Sequence, residues 1–319
     1  MRYLVTGGAG FIGSNTVDEL LRRGQTVAVL DDFSAGREEN LKQAAGKIEL
    51  FRGSITDLDT CRKACQGVDY VIHLAARTSV PRSVIDPLET NRVNIDGSLN
   101  VLVAARDAKV KRLVYAASSS AYGETPTLPK RENMCADPIS PYGVTKFVVE
   151  LYATVFGRCY GLETVSLRYF NVFGPRQDPS SPYSGVLSKF CLALLEGTPL
   201  VVFGDGEQSR DFNFIENVVQ ANLLACEAPG CAGKMFNIGT GGRYTLNETL
   251  KLLQKISGKK AAVKYDPPRE GDILHSQADV SQARKMLGYD PKVNFEEGLR
   301  RTWEWYAAAN KKPAVLSKA

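Results

Sequence analysis

Two histidines, His73 and His275, are all that the 319-residue chain contains, and none of its seven cysteines falls in a C-x-x-C pair. A metal centre draws on clustered imidazole, thiolate or carboxylate ligands at short spacing, so no residue is assigned to a metal. The cysteine count is odd; Cys61 and Cys65, in "CRKAC", share one face of an expected helix. The cysteines read as reduced, mostly structural residues of a cytoplasmic protein. No run of five like charges occurs, and a net charge of +5 is mild. Nucleic acid and membrane are therefore not expected as main partners, although local arginines remain available for an anionic small molecule. No apolar run is long enough for a membrane span, and the chain opens on a strand and a glycine turn rather than a signal peptide. Internal repeats and low-complexity tracts are absent too.

What is present is the balance of a globular chain, 44% hydrophobic and 24% charged, with length for one large domain or two interlocked ones. Strands are predicted at 2–6, 26–31, 47–51, 70–75, 112–117 and 163–170, alternating with helices such as 12–23, 88–108 and 142–157. These strands are too apolar to have one wet face, which predicts a parallel sheet covered by helices on both sides. The fold class is α/β, a doubly wound parallel sheet of the Rossmann type with a smaller α/β substrate domain. The boundary falls near 170. Beyond it, proline- and glycine-rich loops alternate with helices near 186–196, 216–227, 245–256, 279–287 and 296–309, while 234–239 is expected to rejoin the main sheet. Residues 1–170 form the expected cofactor domain, and 171–319 mainly the substrate domain.

"VTGGAGFIG" sets Gly7, Gly10 and Gly13 directly after the first strand and at the mouth of a helix. Gly7 allows the tight turn, Gly10 admits a pyrophosphate to the backbone amides, and Gly13 lets the helix pack close. Asp31 ends the second strand, 18 residues past Gly13. A carboxylate there accepts both adenosine ribose hydroxyls and repels a 2′-phosphate, which favours NAD over NADP. "SPYGVTK" holds Tyr142 and Lys146 four apart, on one helical face after Pro141. That spacing alone is common on helix surfaces. A tyrosine titrates near pH 10, and bringing it to neutrality takes roughly 4 kcal/mol, which a nearby ammonium and a positive nicotinamide ring could supply.

The spacing G-x-x-G-x-x-G, "HLAA" (73–76), "VNIDGSLNVL" (93–102), and Ser118 placed 24 residues before Tyr142 together resemble the extended short-chain dehydrogenase/reductase family. The resemblance implies a Ser118–Tyr142–Lys146 catalytic set. It implies further cofactor contacts from Phe11, Ile12, Asp32, Ile55, Leu74, Ala75, Ala76 and Tyr169, with Asn94 bracing the catalytic strand. Ser54 stands where the family usually has an adenine-contacting Asp. In the 4,6-dehydratases of this branch two acids follow the catalytic serine, because removing water needs a general acid and a general base. Here those slots are Ser119 and Ser120, which leaves hydride transfer and one proton.

"RYFNVFGPRQ" (168–177), "VVFGDGEQSRDF" (201–212) and "PREGDILHSQADVSQARKMLGY" (268–289) extend the resemblance to the UDP-sugar 4-epimerases. The closest similarity is to the bacterial UDP-N-acetylglucosamine 4-epimerases of surface-polysaccharide pathways. It implies a UDP-sugar site with Asn171 and Arg210 on the diphosphate, Phe203 under the base, Arg269 on phosphate, Asp272 on ribose, and Thr78 and Ser276 walling the sugar. Ser79, Ser118, Ser119, Ser120, Tyr142, Gly185 and Val186 complete the implied substrate contacts. It also implies a homodimer built from the helices near 88–108 and 142–157. Two alternatives stay open: a UDP-glucuronate decarboxylase or epimerase, with Arg77 and Arg82 facing a C6 carboxylate, and a non-catalytic dinucleotide sensor.

Overall fold

A computed structural model describes residues 1–179, 185–268 and 273–310 of the chain. The strands of the first half are β1 (Arg2–Thr6), β2 (Thr26–Asp31), β3 (Ile48–Arg52), β4 (Tyr70–His73), β5 (Arg112–Ser118) and β6 (Glu163–Tyr169). Between them run α1 (Phe11–Arg22), α2 (Leu58–Cys65), α3 (Val80–Ile85), α4 (Pro87–Asn91), α5 (Gly97–Asp107) and α6 (Pro141–Tyr160). The second half supplies β7 (Asn171–Phe173), β8 (Leu200–Phe203), β9 (Ser209–Arg210), β10 (Phe212–Phe214), β11 (Lys234–Ile238), β12 (Tyr244–Thr245) and β13 (Val263–Asp266). Its helices are α7 (Val186–Glu196), α8 (Ile215–Glu227), α9 (Leu246–Ser257), α10 (Ser281–Leu287) and α11 (Phe295–Ala309).

Seven strands form one parallel sheet in the order β11-β6-β5-β4-β1-β2-β3. Alternation along each strand decides which core a side chain joins. Val29, Val5, Ile72, Val114 and Val165 lie in register across five strands and enter one core. Their neighbours Ala28, Leu4, Val71 and Leu113 enter the other. With both faces buried, truncating one of these side chains to alanine is expected to cost about 2–5 kcal/mol for a leucine. The strand order reverses between β1 and β4, and at such a switch point the carboxyl ends of the strands splay to open a crevice.

β11 pairs with β6, as the sequence pattern suggests, and α8 also packs on this sheet, beside α1. The rest of the second half makes three two-stranded ribbons, β7 with β10, β9 with β12 and β8 with β13. The predicted helix 88–108 is broken. A π-helical turn, Arg92–Asp96, separates α4 from α5. The extra residue in that turn lets Asn94 leave the helical pattern and bond to other segments. Among the described residues no helix is long and apolar enough to cross a membrane. Cys61, Cys65, Cys191, Cys226 and Cys231 are buried thiols, while Cys135 and Cys159 are exposed.

Candidate active site

A cleft of about 1110 Å³ opens over the switch point and runs on under the second half of the chain. At its cofactor end Gly7 adopts φ +70°, a left-handed conformation that glycine alone adopts without strain. A Cβ on Gly13 would lie 2.1 Å from the Gly7 carbonyl oxygen, so helix and turn touch backbone to backbone. Gly10 caps α1 with no side-chain hydrogen bond, which leaves the amides of the first turn for an anionic ligand. At the end of β2 the Asp31 carboxylate accepts the amides of Ala9 and Phe33, each at 2.8 Å. Burial pushes this carboxyl up, and the two amide bonds oppose the rise. Two amides occupy half of its acceptor capacity, so room remains for ribose hydroxyls. The cradle fits a dinucleotide.

The β4 loop is fixed by a buried chain of hydrogen bonds. Thr6 Oγ1 accepts the amides of Leu74 and Ala75, so its proton is directed to His73 Nδ1, 2.6 Å away. His73 Nε2 then carries the other proton and donates to Ser98, 2.9 Å away. Burial pushes the imidazole down to about 3, so His73 stays neutral. Asn94, expected to brace the catalytic strand, ties this loop to α6. It accepts the Arg77 amide (2.7 Å) and donates to the Arg77 carbonyl and to Thr145 Oγ1, both at 3.0 Å. Ser54 and Asn94 lie outside the cleft lining. Ser54 accepts from the Thr56 hydroxyl within its own turn.

Ser118 ends β5, where its hydroxyl accepts the Ser120 amide (3.2 Å) and sits 2.8 Å from the Ser120 hydroxyl. Helix α6 begins opposite it, with Pro141 in its first turn and the Ser140 side chain accepting the Gly143 amide at 3.1 Å. The Tyr142 amide donates to Ser83 of α3 (3.1 Å), which anchors the start of the helix. The Tyr142 side chain and Ser118 line the same part of the cleft. Lys146 is buried one turn later and donates to the Ala116 carbonyl at 2.7 Å, with Nζ 6.0 Å from the centre of the Tyr142 ring. In the protein alone the expected lowering of Tyr142 is reversed: burial pushes the phenol up, and the Ser118 hydroxyl opposes the rise only in part. Burial also pulls Lys146 down to about 7, against the pull of Glu150.

Behind Lys146 stands a pair that the sequence reading missed. Glu150 and Arg168 are both buried and form two bonds, of 2.9 and 2.7 Å. The guanidinium also lies 4.4 Å from the centre of the Tyr122 ring. Glu150 follows Lys146 by the interval that separates Lys146 from Tyr142, and that signal was available in the sequence.

At the sugar end Asp211 acts as a bolt. Fully buried, it accepts the amides of Thr240, Gly241 and Ala278 and the Thr240 hydroxyl. This draws Arg210 and Ser276 to the same wall, where Asn171 Nδ2 donates to Ser276 Oγ at 3.2 Å. The other expected cofactor and sugar residues line the cleft, except Arg269 and Asp272, which lie outside the described residues. The lining also includes Arg37, Arg176 and Lys189, which were not foreseen. Arg176, at φ 71°, pairs with Asp18 of α1, and Arg37 pairs with Asp178 at 2.6 Å, so the 175–178 segment is tied to the cofactor half.

A doubly wound sheet, a glycine cradle, and a Ser–Tyr–Lys group at the switch point define an enzyme of nicotinamide-dependent hydride transfer. Residues 3–239 match the NAD dependent epimerase/dehydratase family. The chain belongs to that family, and within it to the UDP-sugar 4-epimerases, with NAD as cofactor. It is similar to the UDP-glucose 4-epimerase of Thermotoga maritima solved with UDP-glucose, with 42% identity, a TM-score of 0.93, and 97% and 99% of the two chains covered. The UDP-N-acetylglucosamine 4-epimerase of Methanobrevibacter ruminantium, solved with UDP-N-acetylmuramic acid, is 40% identical with a TM-score of 0.93 over 97% and 98%. A Thermus thermophilus UDP-glucose 4-epimerase solved with NAD is 38% identical with a TM-score of 0.90 over 97% and 100%.

Proposed function

We propose that this chain is a UDP-N-acetylglucosamine/UDP-glucose 4-epimerase of the cytoplasm, inverting C4 through a 4-keto sugar. The observation that carries this reading is the Ser118–Tyr142–Lys146 group in a cleft where Ser119 and Ser120 replace the acids of a dehydratase. In this reading residues 1–170 hold the cofactor, together with the strand near 234–239, and 171–319 mainly hold the UDP-sugar. Tyr142 takes the O4 proton, helped by the Ser118 hydroxyl. Bound NAD supplies the hydride acceptor for C4 and a positive ring beside the phenol. Arg210 holds the diphosphate in a planar fork and Phe203 holds the base while the sugar turns over and presents its other face. Tyr142 then returns the proton to O4, and the hydride would return to C4 from the bound cofactor, with C4 inverted. The sugar needs to be released only from its hydroxyl contacts, so uridine and diphosphate stay anchored throughout.

Ser276 supports acceptance of an N-acetyl group. It is buried beside Asn171, and its small side chain leaves room at C2 in both sugar orientations. Thr78 also lines the cleft, and in this reading its methyl and hydroxyl narrow the N-acetyl pocket, which favours dual specificity. The uronate alternative has less support, because Arg77 is already paired with Glu89 at 3.6 Å. Incubation with UDP-GlcNAc, UDP-Glc and UDP-GlcA, followed by product analysis, tests the reading. Conversion of the first two is expected, and turnover of UDP-GlcA alone would overturn it. Ser276→Tyr is expected to lose UDP-GlcNAc turnover and keep UDP-Glc turnover.

A second copy of the chain is the proposed partner. Val84, Ile85 and Leu88 on α3 and α4 adjoin Val144, Leu151, Tyr152 and Val155 on α6, all of them exposed. A contiguous apolar surface of this kind suits a two-fold helical interface.

A further inference from the structure

We propose that Glu150, held ionised by Arg168, is a positioning residue that keeps Lys146 an ammonium. The proposal concerns the catalytic group of the epimerase reading, whichever UDP-sugar is used. Lys146 is buried, and the one hydrogen-bond partner of its ammonium among the described residues, the Ala116 carbonyl, carries no charge. A buried amine in that position sheds its proton unless a negative charge lies close. The groups facing it are Tyr142 and Glu150, one helical turn to either side of it on α6 with Glu150 buried like Lys146, Tyr115 on β5 with its ring centre 5.0 Å away, and His73 on β4, which stays neutral. Burial pushes the Tyr115 phenol up, so it carries no charge near neutrality. Glu150 is the one carboxylate in the set.

Glu150 has the same difficulty in mirror image, since burial pushes its carboxyl up. The two bonds from Arg168 oppose that rise, because a guanidinium cannot give up its proton in this range. Arg168 lies on β6, directly opposite Ala117 of β5, one residue from the carbonyl that holds Lys146 and one from Ser118. The order is therefore a ladder of alternating charge: Arg168, Glu150, Lys146, and then the phenol of Tyr142. Arg168 biases Glu150 toward its ionised form and Glu150 does the same for Lys146, one helical turn from Tyr142.

The sign follows directly. Removing the Glu150 charge lowers the Lys146 titration further, so the ammonium is lost at lower pH. The measurement is a pH titration of the Lys146 ε-carbon by NMR in 13C-lysine-labelled, NAD-loaded protein, its signal identified by loss in Lys146→Arg. In Glu150→Gln the midpoint is expected to fall by about one pH unit or more, and the alkaline limb of kcat should fall with it while KM stays within about twofold. Arg168→Met should act in the same direction, and Arg168→Lys should restore most of the wild-type midpoint. Because opening a buried pair can unfold the chain, the double variant Glu150→Met with Arg168→Met is the second arm. It is expected to fold and still show the lowered midpoint. A Lys146 midpoint unchanged in Glu150→Gln, or restored in the folded double variant, would overturn the proposal. The titration needs no turnover, so failure of the epimerase reading would appear separately, as missing product with the midpoint shifted as stated.

Discussion

Helix α6 is apolar on both faces and charged on the buried one. Its inner face buries Lys146 and Glu150 among Val149, Ala153 and Phe156 and carries Tyr142 into the cleft, while its outer face exposes Val144, Leu151, Tyr152 and Val155. An ordinary surface helix turns its apolar stripe inward and its charges to water. Here the inner face bears the chemistry, and each buried charge answers another: Lys146 lies beside Glu150, and Glu150 is clasped by Arg168. The outer face, with Leu151 at 52% exposed and Leu88 of α4 at 82%, has nothing to cover it within the described part of one chain. Burying polar groups is costly unless they are paired, and exposing apolar ones is costly unless they are covered. One helix can carry both features if the interior completes the first and a partner covers the second, and the partner proposed above is a second copy of the chain.

The two faces should therefore fail separately. Tyr142→Phe is expected to lower kcat by more than a hundredfold while NAD stays bound and the oligomer is unchanged, because only the proton acceptor is removed. Lys146→Met should also cripple turnover, and in addition loosen NAD, as read by the nucleotide recovered from the denatured protein. On the outer face, Leu151→Glu combined with Val155→Glu should halve the mass seen by sedimentation while the isolated chain keeps an intact cleft. Dimers that persist in that variant would break the comparison. The smallest effect is expected for Val144→Ala, within about 0.5 kcal/mol of wild type by chemical denaturation. A large loss there would mean that the outer face is part of the core.

Most of the architecture was legible because parallel strands buried on both faces read as unbroken apolar runs, as in "RLVYA" and "TVAVL". The glycine cradle was legible for a different reason. Gly7 and Gly13 sit where a Cβ would strike backbone, so no other residue type serves. Tyr142 and Lys146 gained meaning from Pro141 and from their distance to Ser118. The spacing of Glu150 from Lys146 was there to be read, but its pairing with Arg168 was not, because in one dimension a buried Arg looks like a surface charge. Only the folding of β6 beside β5 brings Arg168 under α6. The π-helical turn was hidden as well: 88–108 has helical periodicity throughout, and the break is set by what Asn94 bonds to. The ion pairs of Arg176 and Arg37 depend on where the 175–178 segment crosses α1, which no local pattern encodes.

The central claim is that the hydride removed from C4 is returned to the same carbon after the sugar turns over. Incubating the purified protein with UDP-GlcNAc carrying deuterium at C4, in ordinary water, tests this directly by NMR and mass spectrometry of the product. The account predicts UDP-GalNAc with the deuterium retained at C4. Product with solvent hydrogen at C4, or consumption of substrate without inversion at that carbon, would contradict it.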